Sequence, residues 1–72
     1  MNLKFHLVPR PIGGDPYYEI WRDGYRIARL YDSGAGERIY VAENTSQGPV
    51  AVTTEELRAI IAFTEQPAAS PQ

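Results

Sequence analysis

The chain predicts an α+β fold: a small antiparallel sheet of three or four strands with one C-terminal helix packed on one face. Three observations carry this. Apolar and polar residues alternate with period two in three separate segments. An Asp23-Gly24 pair stands between two of those segments, and Asp-Gly is a strong hairpin signal because a type I′ turn needs φ > 0 at both central positions. Near the end, Thr53 and Glu56 frame the start of an amphipathic helix.

Residues 2–8 form the first segment. Leu3, Phe5 and Leu7 share one side, and Lys4, His6 and Val8 the other. Residues 9–16 hold three prolines and two glycines, which remove donors and break regular structure, so this stretch connects. The hairpin comes next. With Asp23 and Gly24 as the loop, Arg22 faces Tyr25, Trp21 faces Arg26, Ile20 faces Ile27, Glu19 faces Ala28, and Tyr18 faces Arg29. Asp32, Ser33, Gly34, Ala35 and Gly36 make a second turn, and residues 37–43 alternate again. A five-residue loop pairs Ile27 with Val41, Arg29 with Ile39, and Ala28 with Tyr40. Residues 44–49 read as a polar loop, and Val50, Ala51 and Val52 as a short strand or a run into the helix.

Thr53 as N-cap and Glu56 three residues on make a capping box, with Val52 and Leu57 as a hydrophobic staple. Glu55 and Glu56 suit the positive end of the helix dipole. Leu57, Ile60 and Ile61 mark the apolar stripe, and Pro67 ends the helix near Glu65. Residues 1–66 thus read as a single domain and 67–72 as a disordered tail.

One helix covers one side of a sheet. Strict alternation puts Tyr18, Ile20, Tyr25, Ile27, Ile39 and Val41 on one face, with Arg29 near its end. That face is assigned to the helix because it is rich in β-branched residues. The other face then carries Tyr17, Glu19, Trp21, Arg26, Ala28, Leu30, Arg38, Tyr40 and Ala42. A second loop one residue longer or shorter would move Ile39 and Val41 across.

Composition excludes several classes. The chain has no cysteine, so disulfides and thiolate zinc sites are ruled out. A net charge of −2 argues against duplex DNA or an anionic membrane. No segment approaches the roughly 20 apolar residues of a membrane span, and the expected location is cytoplasmic. His6 is the only histidine and lies on the polar side of a strand. Glu55 and Glu56 are accounted for by the helix start, and Asp23 and Asp32 by turn chemistry. Gly34 and Gly36 lack the lysine and the strand-to-helix setting of a phosphate loop. No catalytic residue, metal site or cofactor is expected, so the reading is not an enzyme.

The expected site is the uncovered face, with Tyr17, Trp21, Arg26, Leu30, Arg38 and Tyr40 as partner-binding residues. Trp, Tyr and Arg dominate interface hot spots, and Trp21 opposite Arg26 suits a cation–π pair. The expected function is non-catalytic protein binding through that face or a sheet edge: an adaptor, an antitoxin-like regulator or a phage-type inhibitor of a larger complex. Two alternatives use the same face. In one, Tyr17, Trp21 and Tyr40 stack single-stranded bases while Arg26 and Arg38 meet phosphates. The acidic total, Glu19 within the face and a single lysine, Lys4, weigh against it. In the other, a homodimer buries the face or joins sheets edge to edge.

Overall fold

The computed structural model describes residues 2–9, 14–32 and 37–65. Four strands form an antiparallel meander in chain order: β1 (Leu3–Val8), β2 (Tyr17–Arg22), β3 (Tyr25–Asp32) and β4 (Arg38–Ala42). A two-residue pair, β5 (Asn44–Thr45) with β6 (Gly48–Pro49), occupies the segment expected to be a loop. Helix α1 (Thr54–Thr64) follows. The predicted α+β class is therefore the observed one, and β1 is the antiparallel partner of β2. The glycine-rich turn at 33–36 and the expected tail at 67–72 lie outside the described residues.

The hairpin forms as the Asp-Gly pair dictates. Asp23 has φ +50° and Gly24 φ +88°, the left-handed values of a type I′ turn. Glycine accepts this at Gly24 without strain; a Cβ there would meet no neighbour, so only the backbone angle selects it. The first two pairs beyond the turn are the expected ones, Arg22 with Tyr25 and Trp21 with Arg26.

The next pair departs. Ile20 lies opposite Ala28, not Ile27, so β3 carries one extra residue at Ile27, a β-bulge. Beyond it Glu19 pairs with Arg29, Tyr18 with Leu30, and Tyr17 with Tyr31. The physical reason is visible in what alternation would have buried. Without the bulge Arg29 would face Tyr18 under the helix, and an unpaired buried charge is costly. With it, Ile27, Ala28 and Leu30 all enter the core, and Arg29 turns to the opposite face. The β3–β4 register also differs from expectation by two residues, with Ala28 opposite Ala42, Arg29 opposite Val41, Leu30 opposite Tyr40 and Tyr31 opposite Ile39. A shift of two preserves the faces between these strands. The bulge alone therefore transfers Ile39 and Val41 away from the helix.

The core is Ile20, Ile27, Ala28, Leu30 and Ile60, with Leu3, Phe5, Tyr18, Val50, Val52 and Phe63 packed around it. Phe63 stacks on Phe5 at 4.1 Å and meets the Tyr18 ring edge-on at 4.8 Å, which holds the helix across β1 and β2. The helix stripe turned to the sheet is Glu56 and Ile60, both buried, and Phe63, partly buried; Leu57 and Ile61, expected in it, are half-exposed.

Glu56 replaces an aliphatic residue in that stripe because it is fully occupied. Its carboxylate accepts from the Thr53 N–H at 2.9 Å, and the Thr53 hydroxyl accepts from the Glu56 N–H at 3.1 Å, completing the capping box. Arg22 of β2 donates to both Glu56 oxygens at 2.7 and 2.8 Å and to the Ala51 carbonyl at 2.7 Å. The Arg22 guanidinium and the Thr53 amide hold the Glu56 carboxyl below its usual range. A single side chain thus caps the helix and ties it to the hairpin.

Candidate binding face

Rows of cross-strand partners define the face that α1 leaves uncovered. One row is Val8, Tyr17, Tyr31 and Ile39; the next is His6, Glu19, Arg29 and Val41; the third is Lys4, Trp21 and Arg26. Among the described residues one helix packs on the sheet, and it packs on the other side.

Of the six expected site residues, the sheet brings together three. Tyr17, Trp21 and Arg26 share the open face. Leu30 is in the core at 2% exposure, which corrects its placement as a surface residue. Arg38 and Tyr40 lie on the helix side of the sheet, because Tyr40 aligns with Leu30 and Tyr18, and Arg38 lies two residues along. The bulge is the cause in each case, since every β3 and β4 residue beyond it changes sides relative to β2.

The residues that take their place are Arg29, Tyr31, Ile39, Val41 and Glu43. Ile39 and Val41 are 47% and 45% exposed. Tyr17 and Tyr31 stack across the sheet at 5.1 Å. A charged chain runs beside them. Glu19 accepts from the Trp21 indole at 3.0 Å and from Arg26 at 2.9 Å. Arg26 also meets Glu43 at 3.0 Å, and the same Glu43 oxygen accepts from Arg29 at 3.0 Å. Arg29 in turn donates to the Tyr31 hydroxyl at 3.2 Å. Trp21 and Arg26 are cross-strand partners as expected, and Glu19 joins them through one hydrogen bond to each. The indole and Arg26 lower the Glu19 pKa; Tyr31 and Glu43 raise that of Arg29. The sequence contains a signal for this exchange: strict alternation leaves Arg29 on an otherwise apolar face, a conflict that one extra residue resolves.

Trp21 stands between two shallow grooves. Lys4, His6, Glu19 and Asp23 line one, and Arg26, Glu43, Asn44 and Thr45 line the other. Among the described residues no group of three His, Cys, Asp or Glu side chains converges to hold a metal ion. No helix of the described residues is long and apolar enough to cross a membrane.

The fold and this face together define a small α+β domain with a one-sided sheet. The chain matches no protein-family model, no curated protein and no solved structure.

Proposed function

We propose that this is a non-catalytic protein-binding module whose contact surface is the helix-free face of the sheet. One observation supports it above the rest: Ile39 and Val41 stand half-exposed beside the stacked Tyr17–Tyr31 pair, on a face that no element among the described residues covers. Contiguous exposed apolar surface rimmed by polar groups marks interaction sites. Trp21, set between two grooves, is of the type that anchors interfaces. The adaptor, regulator or inhibitor roles all use such a surface, and the absence of cysteine suits a reducing cytoplasm.

The single-strand nucleic-acid reading receives less support. Arg26 and Arg29 already share Glu19 and Glu43, so a phosphate would compete with carboxylates 2.9–3.0 Å away.

The test is retention on immobilised protein from lysate, with and without nuclease treatment. The wild type is compared with Trp21→Ala/Val41→Lys and with Leu57→Lys/Ile61→Lys on the helix. A protein retained by the wild type and the helix variant but lost by the face variant supports the reading. Equal retention by all three, or none by any, refutes it. Loss of the retained material on nuclease treatment favours nucleic acid.

A further inference from the structure

The two edges of the sheet differ. β1 carries Lys4 and His6 on the open face, and a charged side chain, Lys above all, is a device that discourages strand addition. In β4, Ile39, Tyr40, Val41 and Ala42 run without a charge after Arg38. Ile39, Tyr40 and Val41 are all exposed, two on one face and one on the other.

The backbone direction of this edge follows from one hydrogen bond. The Glu43 N–H donates to the Ile27 carbonyl at 2.9 Å. Alternation along the strand then points the N–H and C=O of Ile39 and Val41 at β3, and those of Arg38, Tyr40 and Ala42 outward. Tyr40 is the middle residue of β4.

We infer that β4 is a self-association edge, where a second copy of this chain adds antiparallel about a two-fold axis through Tyr40. The inference deepens the reading of the open face as a protein-binding surface and rests on it, because Ile39 and Val41 belong to both. The axis pairs Tyr40 with its own copy, Ile39 with the second Val41, and Arg38 with the second Ala42. All three outward-pointing residues then meet outward-pointing residues, so the ladder closes without an orphaned donor. The Ile39 and Val41 pairs fall at the non-hydrogen-bonded positions, where side chains approach most closely. No like charges oppose each other within the strand. Glu37 meets Glu43 just beyond it, and Glu43 is already neutralised by Arg26 and Arg29. The product is an eight-stranded sheet with both helices on one side and an aliphatic seam at the centre of a doubled open face. What fits a second copy to this edge is the outcome of the two-fold register: Arg38 falls opposite an uncharged Ala42 and exposed Ile39 opposite exposed Val41 on both sides of the axis.

The test combines sedimentation equilibrium with amide hydrogen exchange over a concentration series. Wild type is expected to move toward twice the 8.1 kDa monomer mass as concentration rises. The Tyr40 amide is expected to gain protection in step. Tyr40→Lys sets two like charges opposite each other and is expected to remain monomeric with an unchanged circular dichroism spectrum; Leu57→Lys, at an exposed position of the helix, is expected to dimerise as the wild type does. Should Tyr40→Lys fail to fold, the wild-type exchange of Tyr40 decides alone: protection independent of concentration overturns the proposal. Wild type that stays monomeric overturns it too, and leaves the open-face reading to its own retention test. A dimer lost in Trp21→Ala but kept in Tyr40→Lys places self-association on the open face and overturns the edge.

Discussion

Both faces of this sheet pair arginine with glutamate, and the two sets differ in what they are wired to. On the covered face, Arg22 and Glu56 meet bidentately with the carboxylate nearly buried, and the same carboxylate caps the helix. On the open face, Glu19, Arg26, Glu43 and Arg29 form a chain at similar distances. The arginines of the two faces are exposed alike, and the difference lies in the carboxylates, 14% and 24% exposed for Glu19 and Glu43 against 7% for Glu56. Distance alone does not rank these pairs. Burial does, because solvent screens the open set, while removing one partner of the covered pair strands a charge and unmakes a cap. The covered pair therefore ties helix to sheet, while the open set lies on the face proposed for contact.

The largest expected effect tests the faces through their apolar residues. Ile20→Ala, at a fully buried site, is expected to cost about 2–5 kcal/mol. A core of this size supplies roughly 3–5 kcal/mol, so the variant loses its urea transition or nearly so. Ile39→Ala on the open face is expected to stay within about 0.5 kcal/mol of the wild type. Equal losses at the two positions would erase the distinction between the faces.

Glu56→Gln is expected to come next, at about 2 kcal/mol, through the uncompensated Arg22 guanidinium and the weakened cap. Its signature is the pH dependence. The folded-state pKa of Glu56 lies below the ordinary 4.5, so its contribution is complete above about pH 4.5 and fades as pH falls toward the folded value. The difference in urea midpoint between wild type and variant is expected to narrow as pH falls below about 4.5. A constant gap through that fall would show that Glu56 acts by shape and not by charge.

The smallest effect sharpens the contrast. Arg26→Ala is expected to cost less than about 1 kcal/mol, and the difference is expected to shrink as salt rises. A larger, salt-insensitive loss in urea titrations would make the open network structural, and would remove the argument that this face is available to a partner.

Much of the fold was legible along the chain because its signals are local. Thr53 and Glu56 mark the helix start through their own side chains, and Asp23 and Gly24 set the hairpin through φ alone. Strand identity followed from alternation over a few residues. The candidate site was legible only in part. Tyr17 and Trp21 lie before the bulge along the hairpin's first strand, and Arg26 between turn and bulge, so their face survived. Leu30, Arg38 and Tyr40 lie beyond it and changed sides. Leu57 and Ile61 fit a helical stripe as well as Glu56 and Phe63 do; the choice fell to Arg22 and Phe5, which come from other strands.

The chain by itself thus determined the elements, their caps and turns, and the antiparallel hairpin, since each depends on residues within a few positions of one another. Which face is core was decided only in the tertiary structure. Accommodating Ile27, Ala28 and Leu30 under the helix while keeping Arg29 out of it requires the sheet and helix to be present together. One inserted residue in β3 is the cheapest way to meet both demands, and it reverses the face of everything that follows in the sheet.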